Sequence, residues 1–532
     1  MVARSFLAAC ASAAVLASLT ACGGSPPQIV DYSPARGAID VSTAAPIHIS
    51  FDHDVDQASV ESRLHLVPPT SGSVRWLNGH ELAYDHATLR VSTAYQVALE
   101  AGYRDLAGNV YTLRHHWSFV TEGPPGLAGS APANQDSGVD PAAYLTLDFT
   151  RQMQPATLKS AITIEPSVPF DVRIDPTDPR RAIIAPAQLL TPNTAYEIAL
   201  STAALDADGN QLALDQTVAF KTGTVRPLHG WITFAADRLD GTSAGLWMVN
   251  ESGFPRQLFG EGPVTGFSWS PDGTSLLVEG EGQSWNEFTP GVASVPLPFK
   301  ATWAARLATG MGYTYITADS VLHRLGADGT DETIAPNVVD AAVSPNGLRL
   351  AFIQGANAPD QIWGYDVGLH ARYELAVDSG PVSAVTWAPS GAKIAYLRAD
   401  AGATTLRVRD LAASGATTSV AKGSLDAPAW LPDSTSIVFD AGLSTPSGLV
   451  HKAFVVDTVS PPASLNAALG IPADPSIDVT SPVPSPDGHQ IAFVSGDQVW
   501  LMNADGTRPT PLTKEDPGAF PYSCRAPAWT RS

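Results

Sequence analysis

From Ile29 onward the chain is a succession of short runs in which apolar and polar residues alternate, or β-branched and aromatic residues follow one another, each closed by Gly, Pro, Asn or Asp. That is the two-residue period of strands ended by turn formers, and beyond the N-terminus no long stretch keeps the 3.6-residue period of a helix. The pattern predicts an all-β chain. It is sharpest between Ser481 and Thr513, where Gln490-Ile491-Ala492-Phe493-Val494 and Gln498-Val499-Trp500-Leu501-Met502 stand beside Pro486-Asp487-Gly488 and Asp505-Gly506. Asp bonds its own backbone and Gly takes positive φ without a clash, so the unit reads as strand, turn, strand, loop, strand, turn, strand. A four-stranded antiparallel sheet of this kind cannot bury both faces alone and needs copies stacked against it.

Weaker copies supply them. A Pro-led turn between an aromatic or apolar residue and an apolar strand recurs at Trp269-Ser270-Pro271-Asp272-Gly273, Val343-Ser344-Pro345-Asn346-Gly347, Trp387-Ala388-Pro389-Ser390-Gly391 and Trp430-Leu431-Pro432-Asp433-Ser434. Adjacent copies stand roughly 42 to 54 residues apart, and the wider gap after the first holds a degenerate unit around Trp303, Tyr313-Thr314-Tyr315-Ile316 and Asp328-Gly329. The ends complement each other: Ile232-Thr233-Phe234 and Leu246-Trp247-Met248-Val249 belong to a unit lacking its first strand, and Ala526-Pro527-Ala528-Trp529-Thr530 is a first strand lacking its unit. Closing a ring with that strand removes sheet edges that would invite aggregation. The expectation is a β-propeller over residues 228–532, seven-bladed, or six-bladed if residues 301–335 pack irregularly.

The front half carries a second duplication. The strands Pro46-Ile47-His48-Ile49-Ser50-Phe51, Ala94-Tyr95-Gln96-Val97-Ala98-Leu99 and His116-Trp117-Ser118-Phe119-Val120-Thr121 are answered by Leu145-Thr146-Leu147-Asp148-Phe149, Ala195-Tyr196-Glu197-Ile198-Ala199-Leu200 and Val218-Ala219-Phe220-Lys221-Thr222. Short alternating strands with turn signals between them fit two β-sandwiches, residues 29–123 and 124–224. Ser33-Pro34, Gly37, Val41, Phe51, Val55, Tyr95, Asp105, Gly108, Asn109, Phe119 and Thr121 in the first copy resemble the pattern of bacterial Ig-like domains of the surface-layer-protein type. Phe149, Met153, Tyr196, Gly209-Asn210, Phe220 and Thr222 resemble it in the second. The resemblance implies spacer or adhesive modules and no catalysis.

Met502-Asn503-Ala504-Asp505-Gly506-Thr507 with Pro511-Leu512-Thr513, together with the Trp-x-Pro-Asp-Gly turns, resembles the WD-like repeats of the TolB propeller family. The resemblance implies that Trp269, Trp387, Trp430 and Trp529 pack between blades. It also implies that Pro271, Asp272, Gly273, Pro345, Pro389, Pro432, Pro486, Asp487 and Gly488 make turns. TolB itself carries a different N-terminal domain, so its membrane partners do not transfer.

Residues 1–21 hold one charge, Arg4, and an apolar run from Phe6 to Leu19, too short and too soon followed by Gly, Ser and Pro for a spanning helix. They read as a signal peptide. Leu19-Thr20-Ala21-Cys22 resembles the bacterial lipobox, which implies a diacylglyceryl group on Cys22 and a tether over residues 22–28. Cys10 would leave with the signal and Cys524 stands alone, so no disulfide framework is expected. The net charge of −21, without a Lys/Arg cluster in sequence, argues against nucleic acid and anionic lipid headgroups as partners.

Candidate chemistry is sparse. Gly241-Thr242-Ser243-Ala244-Gly245 satisfies G-x-S-x-G but lacks the strand-elbow-helix setting a nucleophile needs. His115-His116 would point to opposite faces of a strand, a poor arrangement for sharing a metal. The Asp and Asn of Asp105-Leu106-Ala107-Gly108-Asn109 and Asp206-Ala207-Asp208-Gly209-Asn210 have the oxygen donors of a calcium loop, but a hairpin turn explains them as well. No catalytic residue, cofactor or metal site is therefore assigned. The expectation is a membrane-anchored lipoprotein of the bacterial cell envelope, facing periplasm or exterior, whose propeller binds an envelope protein or glycan. The alternative is an extracytoplasmic hydrolase or lyase acting on an envelope polymer, with residues from several blades meeting at the channel.

Overall fold

The computed structural model of the protein describes residues 24–224, 228, 230–238, 244–251, 253–260, 262–355, 361–411, 415–445, 448–465, 470–513 and 522–530. Its first part is two β-sandwiches. In the first, the sheet ordered Ile29–Ser33, Ile47–Phe51, Glu81–His86, Gly72–Trp76 faces the sheet of Leu64–Val67, Ala94–Leu99 and His115–Val120. Alternation decides which side chains go inward: Ile47, Ile49 and Phe51 meet Tyr95, Val97, Trp117 and Phe119 in one core. The second sandwich repeats the plan with Leu145, Leu147 and Phe149 against Tyr196, Ile198, Val218 and Phe220.

The repeated motif residues do equivalent work in both copies. The Tyr95 hydroxyl accepts from Arg90 N at 3.1 Å and the Tyr196 hydroxyl from Thr191 N at 3.0 Å. Thr121 and Thr222 donate to the carbonyls of Arg90 and Thr191, each at 2.6 Å. Each copy also has a short helix that the periodicity did not disclose, Gln57–Glu61 and Pro155–Ala161, since a run of five to seven residues is under two turns.

Each boundary between parts is built of buried side chains. Between the sandwiches, Glu122 is 3% exposed; its Oε1 accepts from Thr43 N at 3.1 Å and Asn210 Nδ2 at 3.0 Å, and its Oε2 from Arg151 Nη1 at 2.6 Å. Thr43 Oγ1 donates to Asn210 Oδ1 at 2.9 Å, and Arg151 also pairs with Asp40. Burial pushes the Glu122 carboxyl upward and the nearby Asp208 adds to this, while Thr43 N–H and Arg151 pull it back. Between the second sandwich and the ring, Arg256 is fully buried. It lies 4.3 Å over the ring of Tyr144 and 5.5 Å over that of Trp231, and donates to the carbonyls of Ala142 at 2.5 Å and Ala143 at 2.9 Å. Burial draws its guanidinium down to about 10, still charged at neutral pH.

Among the described residues the C-terminal strands form seven antiparallel sheets. The first runs Tyr522–Trp529, Ile232–Arg238, Ala244–Val249, Arg256–Phe259, from the inner strand to the outer. The second to fifth begin at Gly266–Trp269, Trp303–Arg306, Val338–Val343 and Val382–Trp387, the sixth at Leu425–Trp430 and the seventh at Thr480–Pro484. Each consecutive pair shares one apolar core, and the seventh sheet shares one with the first, where Ala492, Val499 and Leu501 meet Ile232, Phe234 and Trp529. Packing that returns to its starting sheet is the arrangement of a β-propeller.

Residues 301–335, read from the sequence as a degenerate unit of the ring, contain a regular four-stranded sheet from Trp303 to Ala335; the unit only lacks the Pro-led turn. One local feature departs from the sequence expectation. The sixth sheet has three strands among the described residues, and in the place of a fourth a single bridge joins Ala453 to Ile471. Lys452 holds the following loop there, its Nζ donating to the carbonyls of Asp474 at 2.5 Å and Ile477 at 2.6 Å.

Candidate functional site

Inner strands begin at one end of the ring, where the second strands end: Val338 is paired with Gln354 and Gln354 with Gln361. At this entry end the inner strands of the fifth, sixth, seventh and first sheets each contain a register shift with a non-glycine residue at positive φ: Ala384 at 53°, Ala427 at 46°, Ser481 at 51° and Ala526 at 51°. These are β-bulges, which bend a strand and leave an amide without its ladder partner. Carboxylates meet that demand. Asp340 Oδ2 accepts from Val385 N in the next sheet at 2.9 Å, and Asp440 Oδ2 from Ser481 N in the next sheet at 2.9 Å. Burial pushes both carboxyls above the usual range; at Asp440 the neighbouring Asp426 and Asp478 add to the shift and His451 opposes it.

The rim at this end is uneven. The central hairpin of the fifth sheet, Lys393–Asp400 with Ala403–Asp410, and that of the sixth, Ser436–Thr445 with Gly448–Asp457, have strands of 8 and 10 residues, against 4 or 5 in the second sheet and 4 in the third. Beneath the fifth hairpin Asp378, 3% exposed, accepts from Tyr396 Oη at 3.0 Å, Arg407 Nη1 at 2.9 Å and Arg398 Nη1 at 3.3 Å. Burial, with the Asp378 charge beside it, pushes the Tyr396 phenol up to about 12. Arg398 also pairs with Asp400. Beside this network a cleft of about 470 Å³ opens between Thr405, Ser419 and Lys422 on one side and Pro462 and Leu465 on the other.

This end therefore offers bulge-shaped backbone, carboxylates, two guanidiniums and a cleft of ligand size. Among the described residues no group of three or more His, Cys, Asp and Glu is set to hold a metal ion.

The residues singled out by sequence lie elsewhere. Trp269, Trp387, Trp430 and Trp529 are buried between successive sheets; the first, second and fourth donate Nε1–H to Thr233 Oγ1 at 2.8 Å, Ala342 O at 3.1 Å and Val483 O at 3.0 Å in the preceding sheet. Pro271, Pro345, Pro389, Pro432 and Pro486 lead turns at the opposite end, closed by bonds such as Gly273 N to Ser270 O at 2.9 Å and Gly488 N to Ser485 O at 2.9 Å. Gly273 has φ 67°, and Ser434 takes the same left-handed place at 58°. In these turns Asp272 accepts from Ser270 Oγ at 2.6 Å and Thr274 Oγ1 at 2.8 Å, and Asp487 from Ser485 Oγ at 2.5 Å. Cys524 is buried, its thiol pushed up to about 12 by desolvation. Cys22 and Ser243 lie outside the described residues.

The two Asp-x-x-Gly-Asn segments are turns, with Asp105 N bonded to Asn109 O at 3.1 Å and Asp206 N to Asn210 O at 3.0 Å. Asn210 also serves the joint between the sandwiches. Sequence reasoning missed Asp378, Arg398, Arg407 and Asp440. The available signal was the alternation of charge in Arg398-Ala399-Asp400 and Arg407-Val408-Arg409-Asp410, polar side chains on strands otherwise built for a core.

Comparison with known proteins divides the chain in the same way. The family described as "Bacterial Ig-like domain" matches residues 24–121 and 122–222. Solved structures similar to the chain include TolB from Acinetobacter baumannii, with 16% identity over 72% of this chain and 86% of that one at a TM-score of 0.37. A putative TolB from Agrobacterium tumefaciens has 19% identity over 53% of this chain and 88% of that one, at 0.33. An oligogalacturonate lyase in complex with manganese has 10% identity over 54% and 85%, at 0.39. At these scores none of the three bears on activity, and the propeller rests on the cyclic packing of the seven sheets. Residues 24–222 are two tandem bacterial Ig-like domains, and the chain is a protein that carries them in front of a β-propeller.

Proposed function

We propose that this protein is a lipoprotein of the bacterial cell envelope, anchored through Cys22, in which two Ig-like domains hold a seven-bladed propeller away from the membrane. The entry end of the ring binds an envelope protein or glycan. The observation that carries this reading is the construction of the two joints. Buried Glu122 and Asn210 join the sandwiches, and buried Arg256 joins the second sandwich to the ring, so the recognition surface is borne at a set distance and orientation from the N-terminus. Among the described residues no helix is long and apolar enough to cross a membrane.

Two experiments test it. Crosslinking in whole cells with mass spectrometry should recover a recurrent envelope partner whose crosslinks map to the hairpins of residues 393–410 and 436–457. Labelled palmitate should enter the wild-type chain and fail to enter Cys22→Ala; incorporation that survives the substitution removes the anchor.

A second reading draws on Asp440, whose carboxyl is raised by burial and further by Asp426 and Asp478 beside it, with His451 opposing, at the ring opening, the kind of setting that serves acid-base chemistry on a polymer. Cleavage of a cell-wall polymer by the purified protein, abolished in Asp440→Asn, would establish it over the scaffold.

A further inference from the structure

The two sandwiches turn the same end toward what precedes them in the chain. In the second, Thr150 N–H donates to the Gly126 carbonyl at 2.9 Å and Gly126 N–H to Thr150 Oγ1 at 2.9 Å. In the first, Asp52 N–H donates to the Gln28 carbonyl at 3.0 Å and Gln28 N–H to Asp52 Oδ1 at 2.9 Å. Gln28 thus stands where Gly126 stands, and four residues earlier Gly24 answers to Glu122. Their neighbours agree: Glu122 accepts from Asn210 Nδ2 at 3.0 Å, and a Cβ on Gly24 would come within 2.9 Å of Asn109 Nδ2. The Asp-x-x-Gly-Asn turn therefore marks the leading end of each sandwich. Over the second turn lies the first sandwich, with Thr43 and Glu122 on Asn210. Over the first turn lies whatever holds the chain ahead of Gly24. Cys22 is two residues away, a reach of at most about 7 Å.

The side chains at the two leading ends differ. Leu106 and Val110, 74% and 42% exposed, occupy the first turn where the second has Ala207 and Gln211. Residues 77–80 form the adjacent turn, tied to this end by Val55 N–H on the Gly79 carbonyl at 3.0 Å and by the bridge from Val55 to Asp105. That turn adds Leu77, 46% exposed, whereas the second sandwich has Asp175-Pro176-Thr177-Asp178-Pro179-Arg180 in its place. Asp54, Asp56 and Glu100 on the same end are partnered, by His80 at 2.9 Å, Arg104 at 2.6 Å and Arg114 at 2.9 Å. The copy that meets a protein has a polar leading end, and the copy nearest Cys22 has an apolar one.

We propose that Leu106, Val110 and Leu77 seat the first sandwich in the surface of a lipid bilayer, between headgroups and acyl chains. This rests on the reading of Cys22 as a lipid anchor. The contact is apolar: a chain of net charge −21 gains nothing from anionic headgroups, while side chains of this kind enter a neutral surface to a depth of about 5–10 Å. An acyl anchor alone is a pivot. A second point of contact fixes the tilt of the first sandwich, and the buried joints at Glu122 and Arg256 carry that orientation to the ring.

Hydrogen–deuterium exchange with mass spectrometry tests the proposal on residues 22–532 coupled through the Cys22 thiol to a maleimide lipid in phosphatidylcholine vesicles. Cys524 is buried and does not compete for the coupling. The coupling supplies an anchor whether or not cells add one, so failed palmitate labelling and failed insertion are separate results. Amides of residues 77–80 and 105–110 should exchange about tenfold more slowly than in the same chain capped with N-ethylmaleimide and mixed with vesicles, the bias that burying one Leu supplies. Those of residues 206–211 should be unchanged. Leu106→Asp, and separately Val110→Asp, should abolish the protection; Leu214→Asp, at a site 58% exposed on the second sandwich, should leave it. Equal exchange in coupled and capped chains, or protection that survives Leu106→Asp and Val110→Asp, overturns the proposal.

Discussion

Aspartates in the propeller fall into two groups with opposite electrostatic signs. Those of the Pro-led turns accept several local donors. At Asp272 desolvation alone would raise the carboxyl, but the hydroxyls of Ser270, Thr274 and Thr309 and the amide of Thr274 hold it well below its ordinary value. Asp487 is lowered chiefly by Ser485. A carboxyl depressed on folding contributes stability that is present above the unfolded value and lost as pH falls through the folded one. Asp272→Ala should therefore lower the melting temperature at neutral pH by a few degrees, with ~1 kcal/mol the usual worth of a hydrogen bond, and the deficit should shrink on acidification below about pH 4. Asp440 belongs to the other group. Its carboxyl is raised on folding, chiefly by burial, so its contribution is fullest below the unfolded value and declines as pH rises through the folded one. Asp440→Asn keeps an oxygen for Ser481 N–H and removes the repulsion from Asp426 and Asp478. It should be neutral or stabilising by about 1 kcal/mol at pH 7, measured by denaturant unfolding.

At the scale of elements, local information was enough for the strands and their turns. Ile47-His48-Ile49-Ser50-Phe51 alternates because one face is core, and Pro486-Asp487-Gly488 turns because of what those residues are. What could not be read were features settled by partners far away in the chain. Arg256 is one of 31 basic residues in the sequence, and only the arrival of Ala142, Ala143 and Tyr144 from the second sandwich makes it a joint. The bulges at Ala384, Ala427, Ser481 and Ala526 use residues with no taste for positive φ, so no local signal marks them. The sixth sheet, three-stranded among the described residues, begins with an inner strand whose motif, Trp430-Leu431-Pro432, is as regular as the others. The joints invite direct measurement. Glu122→Ala leaves Arg151 charged without its buried carboxylate and Thr43 N–H unpaired, while Asn210 Nδ2 keeps only its bond to Asp206, and should weaken the joint by ~3 kcal/mol. Small-angle scattering should then show a broadened distribution of lengths, while each sandwich keeps its own strand content by circular dichroism.

At the scale of the whole molecule, the ring is completed by one pairing between distant segments. Tyr522–Trp529 lies along Ile232–Arg238, Trp529 fills the core between the seventh and first sheets, and Thr530 bonds Leu228 and Trp231. Removing residues 526–532 deletes a buried Trp worth ~3–5 kcal/mol and opens two edges. The melting temperature should drop by roughly 10 °C or more, and an unchanged melting curve would refute closure by this strand. The same pairing sets a schedule. Thr233 and its partner Ala528 are 295 residues apart, so at about 5–20 residues per second a ribosome delivers the partner roughly 15 to 60 s after the strand that awaits it. Throughout that interval the edge of Ile232–Arg238 is a bare template, open to the wrong neighbour or to a protease. Survival of the newborn chain is thus a race between its own elongation and whatever else can pair with one uncovered strand.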